Sequence, residues 1–279
     1  MPVRSKAEAP FHVPSSARTQ GLIYGSFAMR DGRSYVADVH EEGGWRLRHP
    51  HSPICEAVII NTGGGIVGGD KINLDFNIGD GADVVITSQA AEKIYKAQED
   101  EAQVHISLRL GHGAQVGWLP QEMILFDGAR FKRRLDVDME EDSRLTMIEA
   151  TVFGRLAMGE HIIAGSLRDR WRIRRGKKLI FAEDVVFEGS ISEHLDLPAI
   201  GGSARASALI LHIAPNLLEE AEQLRHHLSG HHFDVEWGVS LWNNMLVMRL
   251  LSHRPDHLRL ISQMALTYLR GHKMPRVWQ

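Results

Sequence analysis

The residues with the clearest chemical potential form a glycine-rich segment, Asn61–Asp70, with the sequence NTGGGIVGGD. Within it, Gly63, Gly65 and Gly68 satisfy the G-x-G-x-x-G spacing that holds a dinucleotide phosphate at the start of a helix. The following residues, Ile72–Ile78, alternate apolar and polar as a strand does, so the helix that this motif needs is not predicted. An enzyme that binds a nucleotide at this segment is therefore kept only as an alternative hypothesis.

Two further interpretations of the glycine-rich segment do not require a helix. A P-loop needs Gly-Lys followed by Ser or Thr, whereas the chain continues with Asp70-Lys71-Ile72, which puts an acid where phosphate would bind. A glycine cluster is also costly in chain entropy, roughly 0.5–1 kcal/mol per residue relative to alanine, which indicates an unusual backbone path or a close approach. We therefore predict a tight structural crossing that presents Asp70, with a plain hairpin loop as the alternative. The glycines assigned to this structural motif are Gly64, Gly65, Gly68 and Gly69.

Histidine is the second candidate for chemistry, because the chain contains 16 of them and imidazole is a common metal ligand. Four bunch around Ser229–Gly230: His226, His227, His231 and His232. No His-Glu-x-x-His or Cys-x-x-Cys pattern accompanies them, and the surrounding sequence is polar and turn-like. We predict solvated surface histidines and no dedicated metal site. A metal-storage or metal-sensing protein built on these histidines remains an alternative.

The elements that must position these residues are mainly β-strands. Apolar and polar residues alternate over Ile72–Ile78, Val104–Leu110 and Leu135–Met139, which is the pattern of a half-buried strand. Each segment is followed by a tight turn and a second β-rich run, and the unit recurs at roughly 30 residues. Such recurrence predicts stacked β units, a β-solenoid or helical-β-like fold in which each unit covers its neighbour's apolar face.

The pattern changes from strands to helices after residue 214. Leucines and alanines at helical spacing predict one helix from Pro215 to Gly230 and a second from Asp256 to Gly271, so about two α-helices lie toward the C-terminus. The first 20 residues are polar and contain three prolines, so residues 1–20 are predicted to be a mobile tail. Residues 21–279 are predicted to form a single domain.

Composition argues against several classes of protein. The formal net charge of −3 lacks the basic excess of a nucleic-acid binder, and no run of about 18 apolar residues could form a transmembrane helix. The single cysteine cannot form an intrachain disulfide, which fits a reducing compartment. We expect a cytoplasmic protein with neither nucleic acid nor membrane as a partner.

Several segments in a fixed order carry a resemblance to a known family. They are Asn61–Asp70, Thr87–Lys96, Trp118–Glu122, Phe126–Ala129, Gly154–Glu160 and Pro275–Trp278. Together they resemble the UreD family of urease accessory proteins, also called UreH. The departures are Gly63, where many members carry a less flexible small residue or proline, and Lys96, where arginine is common.

The resemblance implies a largely β protein, with helices near its C-terminus, that performs no covalent chemistry itself. Members of the family bind apo-urease directly, and they bind the helical accessory protein UreF, which recruits the nickel-carrying GTPase UreG. The assembly supports carbamylation of a urease lysine and insertion of nickel. The chain is therefore expected to be a non-enzymatic scaffold and nickel-insertion chaperone. Nickel would be in transit, and no cofactor would be tightly bound.

The same resemblance supplies candidate residues for a water-filled nickel passage. Asp70 and Glu160 would be separate carboxylate ligands, Lys93 would pair with one of them, and Thr87 and Gln89 would add neutral oxygens. Separate carboxylates along a wet channel would bind Ni²⁺ weakly enough to release it onward. The alternative for Asp70 is that it only caps a turn. Weaker candidates are Glu122 and Asp127.

Overall fold

The computed structural model describes residues 19–279, and about half of them lie in β-strands. The strands are β1 Gln20–Arg30, β2 Arg33–Glu42, β3 Trp45–Arg48, β4 Cys55–Asn61, β5 Lys71–Ile78, β6 Asp83–Ser88, β7 Glu92–Ile94, β8 Ala102–Leu110, β9 Gln115–Leu119, β10 Met123–Leu125, β11 Arg130–Met139, β12 Arg144–Phe153, β13 Ser166–Arg175, β14 Lys178–Glu188, β15 Ala206–Ile213, β16 Glu236–Trp242 and β17 Met245–Ser252. The helices are α1 Ile191–Asp196, α2 Leu217–Ser229 and α3 Pro255–Arg270. The tail predicted for residues 1–20 lies outside the described residues except for Thr19 and Gln20, and Gln20 already begins β1.

The strands form two sheets that face each other across the core. Sheet A has seven strands in the order β14–β13–β11–β8–β5–β1–β2, and sheet B has the main order β16–β17–β15–β12–β9–β6–β4–β3. The strands in the middle of each sheet run parallel, as β5, β8 and β11 do in sheet A and β6, β9 and β12 do in sheet B. Antiparallel strands close the ends, including β2 and β14 of sheet A.

Successive coils of the chain stack on one another in register, so the centre of the molecule is a β-solenoid. A coil passes through sheet A, turns tightly into sheet B and returns through a short third face, where β7 and β10 pair in parallel. Lys71 therefore lies beside Gln103, and Gln103 beside Lys132. This register is the recurrence found in the sequence, so the predicted stacked β fold is confirmed.

The core between the sheets consists of side chains stacked in rows from coil to coil. Phe76, Leu108, Val137 and Ile173 are register neighbours across sheet A and are fully buried. Burying each such side chain contributes roughly 1.5–3 kcal/mol, and every coil buries the inward face of its neighbour. Alternation within the strands leaves the other face of sheet A, which carries mostly polar side chains, toward solvent.

Two of the helices cover the outer face of sheet B and form a third layer. Ala221 and Leu224 of α2 and Leu266 of α3 pack in one buried cluster with Ile148 and Ile210 of the sheet. These are the two predicted helices, which begin at Leu217 and Pro255 in the structure. The short helix α1 was not predicted, because six residues are too few to show a helical repeat. None of the helices within residues 19–279 combines the length and apolar character needed to cross a lipid bilayer.

Candidate functional site

The glycine-rich segment crosses the third face of the solenoid between β4 and β5. A Cβ atom on Gly65 would lie 2.2 Å from the Tyr95 ring, and one on Gly68 would lie 2.5 Å from the Asp100 carbonyl oxygen, so a larger residue would have to displace its neighbour at either position. Strand β5 follows directly, from Lys71. The helix that a dinucleotide motif requires is therefore replaced by a strand, which weighs against the nucleotide-binding alternative.

The carboxylate of Asp70 is buried at the end of this crossing and accepts two backbone hydrogen bonds. Its Oδ1 accepts from the Thr19 N–H at 2.7 Å, and its Oδ2 accepts from the Val67 N–H at 3.0 Å. Asp70 thus joins the segment before β1 to the glycine-rich crossing. This geometry is that of a turn-capping carboxylate, with both oxygens directed at the chain's own backbone.

We expect Asp70→Ala to lower the free energy of unfolding by about 1–3 kcal/mol, because two buried N–H groups lose their acceptor. Asp70→Asn retains one carbonyl oxygen and should lose less. Urea unfolding followed by circular dichroism measures both variants. Equal stability of the alanine variant and the native chain would contradict the capping role.

The other predicted passage residues lie on several elements. Thr87 is buried and its hydroxyl donates to the Leu119 carbonyl at 2.6 Å, while the side chains of Gln89 and Lys93 are exposed. Glu160 accepts from the backbone and the guanidinium of Arg155 at 2.7–3.1 Å.

The two weaker candidates are also engaged in structural contacts. Glu122 accepts from Arg259 at 3.0 Å, and Asp127 accepts from the N–H groups of Ile163 and Ala164. Among residues 19–279, no three metal-ligating side chains are grouped closely enough to hold an ion. The passage residues inferred from the resemblance are therefore not gathered into one metal centre, and their role stays a prediction.

A cluster that the sequence analysis missed lies inside the solenoid, where Arg133, Glu149 and Asp169 are all buried. The Arg133 guanidinium binds Asp169 with two hydrogen bonds, Nε to Oδ1 at 2.9 Å and Nη2 to Oδ2 at 2.5 Å. Its Nη1 donates to Oε2 of Glu149, whose Oε1 accepts from the Trp118 indole N–H at 2.7 Å. One buried cation thus bridges two carboxylates that come from different sheets.

Electrostatics keep the guanidinium of this cluster charged. Burial alone would lower the pKa of Arg133, but the carboxylates of Asp169 and Glu149 raise it above its ordinary value, so the guanidinium stays charged. Burial raises the pKa of Glu149, while the positive charge of Arg133 opposes that rise. When Glu149 and Asp169 are both ionised, the three groups carry one net negative charge, which favours a cation over an anion beside them.

A cavity of about 300 Å³ adjoins the cluster between β14 of sheet A and β17 of sheet B. Arg133, Glu149 and Asp169 line its buried end, and an ion pair between Glu183 and Arg249 lines another part of the wall. The Arg249 side chain is 59% exposed. The cavity therefore extends from fully buried charges to a charged pair at the surface.

The period-two pattern contains the signal that could have found this cluster. Arg133 stands between Phe131 and Leu135, and Asp169 stands between Leu167 and Trp171, so each charged residue occupies an inward position of its strand. A charge in phase with buried apolar residues is costly unless it is paired, which marks it as a special position. The sequence could flag these positions, although it could not show which partners they meet.

The sequence of this chain is similar to those of known proteins over nearly its whole length. A model of the UreD urease accessory protein family matches residues 20–279. The chain belongs to the UreD family. Among relatives, "Urease accessory protein UreD" of Methylobacterium sp. (strain 4-46) is 40% identical over 272 residues, which cover 95% of this chain and 96% of the relative. The protein of the same name from Rhodopseudomonas palustris (strain BisB5) is 38% identical over 280 residues, covering 99% and 97%. That from Beijerinckia indica is 42% identical over 243 residues, covering 87% and 90%.

A second buried polar group in this UreD family member lies between sheet B and α2. The His212 ring is within hydrogen-bonding distance of the Thr146 hydroxyl at Nδ1, 2.8 Å, and of the Glu220 carboxylate at Nε2, 3.1 Å. Burial, with a further contribution from the positive charge of Arg144, lowers the pKa of His212 to about 4. The ring is therefore neutral near pH 7, with Nε2–H donating to Glu220 and Nδ1 accepting from Thr146.

We expect His212 to make the fold acid-sensitive between pH 6.5 and about 4. In that range the unfolded chain binds a proton that the native histidine does not, so stability falls as the pH falls, by about 3 kcal/mol over the window. Urea unfolding at pH 7.5 and pH 4.5 should show a smaller pH dependence for His212→Gln than for the native chain. The same slope in both proteins would contradict a neutral buried histidine.

Proposed function

We propose that the chain is a non-enzymatic scaffold and nickel-insertion chaperone for urease. In this proposal it binds apo-urease and UreF in the cytoplasm, and UreF recruits the GTPase UreG. It holds no tightly bound cofactor, and nickel passes through it in transit. Membership of the UreD family supports the accessory role. The charged cavity between β14 and β17 is the observation that supports the passage of a cation.

The cavity has the chemistry that a transfer route for Ni²⁺ requires. Glu149, Asp169 and Glu183 offer carboxylate oxygens, which are weaker ligands for Ni²⁺ than imidazole or thiolate. Each of these carboxylates is already paired with Arg133 or Arg249, and the competing positive charge weakens cation binding further. A hydrated ion would therefore be attracted without being trapped, as conduction through successive sites demands.

The residues inferred from the family resemblance are proposed as further contacts along the nickel route. Asp70, Glu160, Lys93, Thr87 and Gln89 would act at other points of the route, and Asp70 would also maintain the glycine-rich crossing through its backbone contacts. Glu149, Asp169 and Glu183 are the stronger candidates for contact with nickel, because all three line one cavity.

Reconstitution tests the scaffold role. Apo-urease, UreF, UreG, GTP, bicarbonate and nickel are combined with and without this chain, and the complex is followed by size-exclusion chromatography and ureolysis by ammonia release. Both the large complex and the activation should depend on the chain. If the chain neither binds apo-urease nor changes activation, the proposed function is wrong.

Variants of the cavity test the passage separately from assembly. Glu183→Gln should assemble normally but slow activation when nickel is limiting, because one acidic wall residue is neutralised without a change of shape. Asp38→Asn, an exposed position on the edge strand β2, is the matched control and should activate like the native chain. Equal activation by both variants would remove Glu183 from the route.

The enzyme alternative has a simple discriminating measurement. Titration with ATP, GTP or NAD followed by calorimetry should show no saturable binding to the isolated chain under the scaffold proposal. Saturable binding that is lost when Gly68 is replaced would instead support a nucleotide site at the glycine-rich segment.

A further inference from the structure

We propose that His227 and His231 form a two-histidine chelate for a divalent transition-metal ion at the C-terminal end of α2. The pair belongs to the histidine-rich stretch around Ser229–Gly230, which the scaffold function does not use. The proposal concerns a surface site outside the cavity between β14 and β17, and it does not depend on nickel passing through that cavity.

The imidazole rings of His227 and His231 lie on the same side of the chain because of the helical turn that joins them. His227 lies in the last turn of α2, and Gly230 keeps helical backbone angles at the C-cap, with φ −76° and ψ −4°. The His231 N–H then reaches the Leu228 carbonyl at 3.1 Å, so the turn continues through His231. Residues four apart on a helix lie on one face, and here the ring centroids are 6.1 Å apart.

This separation is close to that of two imidazoles on a shared metal ion. A ligating imidazole nitrogen lies about 2.0–2.1 Å from zinc and at a similar distance from related ions, which places two centroids on one metal roughly 4.5–5.3 Å apart at N–metal–N angles of about 90–110°. The ring centroids at 6.1 Å must therefore approach by about 1 Å, which rotations about the side-chain bonds of the two exposed histidines would supply. Water would complete the coordination, since no third metal-ligating side chain within residues 19–279 joins the pair.

Neighbouring aromatic rings orient the two histidines without occupying their nitrogens. His227 stacks on Tyr268 of α3 at 5.6 Å and 25°, and His231 stacks on Phe233 at 6.0 Å and 14°. Stacking uses the ring faces and leaves the nitrogen lone pairs free in the ring planes. Within residues 19–279 no hydrogen bond to a protein atom engages either ring, whereas His257 nearby accepts from the Asp234 N–H at 3.0 Å.

The position on α2 also favours a cation. The last carbonyl groups of a helix carry partial negative charge, and a positive charge beside them is stabilised by about 0.3–1 kcal/mol. Imidazole prefers later first-row ions, so the expected order of affinity is Cu²⁺ above Ni²⁺, with Zn²⁺ also bound. A site with two protein ligands would exchange its ion readily, as a surface acceptor would.

Calorimetric titration of the full chain with Ni²⁺ and with Cu²⁺ tests the chelate, and the cluster supplies its own controls. His227→Ala or His231→Ala should weaken one binding step about tenfold or more, because the second imidazole then no longer binds as an intramolecular step. His226→Ala and His232→Ala change the same residue type in the same segment and should leave that step intact. Electron paramagnetic resonance of the Cu²⁺ form should show two equivalent nitrogens, reduced to one in either chelate variant.

Three outcomes would overturn the proposal. Equal small losses in all four variants would indicate independent surface histidines, and no loss in any variant would place the bound metal elsewhere. A Cu²⁺ spectrum with one nitrogen in the native chain would exclude the pair. None of these outcomes bears on the reconstitution of urease activation, so this proposal and the scaffold function can fail separately.

Discussion

Replacing Arg133 by methionine is expected to lower the free energy of unfolding by about 3–5 kcal/mol, because it leaves the buried carboxylates of Glu149 and Asp169 without their cation. The loss should be smaller at pH 5 than at pH 8. Without Arg133, nothing would oppose the rise that burial causes in the pKa of Glu149, so its part of the penalty exists when Glu149 is ionised and fades as it binds a proton. Urea unfolding at the two pH values measures the difference.

Arg168→Met is the matched control for this prediction. Arg168 lies on β13 beside Asp169 but points to the outer face, where its side chain is 53% exposed and pairs with Asp184. An exposed pair of this kind contributes about 0–1 kcal/mol, so the control should unfold nearly as the native chain does. Similar losses in both variants would mean that the burial of Arg133 has no special importance.

A triple variant separates a structural role of this cluster from a functional one. When Arg133, Glu149 and Asp169 become Met, Leu and Leu, no buried charge is left unpaired, and such replacements are often neutral or stabilising. We expect a smaller loss of stability than in Arg133→Met, because only the Trp118 indole N–H loses its acceptor, together with defective urease activation in the reconstituted system. Normal activation by the triple variant would show that nickel does not use these charges.

The second large effect is expected at the C-terminus, where Trp278→Ala should lower the free energy of unfolding by about 3–5 kcal/mol. The indole is buried, its N–H donates to the Leu119 carbonyl at 3.0 Å, and the Arg259 guanidinium lies over the ring at 4.7 Å. The substitution removes the packing, the hydrogen bond and the cation–π contact together. It should also release the final residues from α3 and β9, which limited proteolysis can detect.

Trp278→Phe provides an intermediate case, since it keeps an aromatic ring under Arg259 but lacks the N–H donor. Its loss should fall between those of the native chain and the alanine variant, because the Leu119 carbonyl loses the indole donor but keeps the Thr87 hydroxyl as a donor. Arg276→Ala, at an exposed position two residues earlier, should change stability by no more than about 0.5 kcal/mol. A Trp278→Ala loss as small as this would contradict the docking of the C-terminus.

Local patterning explains why much of the fold could be predicted. A strand places alternate side chains on opposite faces, so the alternation in Ile72–Ile78 and Val104–Leu110 already stated which residues face the core, and the structure confirms this. The two longer helices could also be predicted from the sequence. In α2, for example, Leu217, Leu224 and Leu228 repeat at the helical period. The short helix α1 was not predicted, because its six residues show no helical repeat and its burial depends on distant contacts.

The candidate site was harder to predict from the sequence, because its residues come into contact only when neighbouring coils stack. Arg133 and Asp169 are 36 residues apart, yet they form a pair because neighbouring coils stack in register. Asp70 was singled out by its place at the end of the glycine-rich segment, but its contact with Thr19 spans 51 residues and gives it a structural partner that no local motif indicates.

The sequence by itself determined the β-solenoid, its C-terminal helices and, through ordered motifs, the UreD family, because periodicity and motifs are properties of consecutive residues. Only the tertiary structure decided which charges are paired. The energy of a carboxylate depends on the cation beside it and on its distance from water, and both are set by the stacking of coils and sheets. The cluster of Arg133, Glu149 and Asp169 therefore exists as a site only in the folded chain.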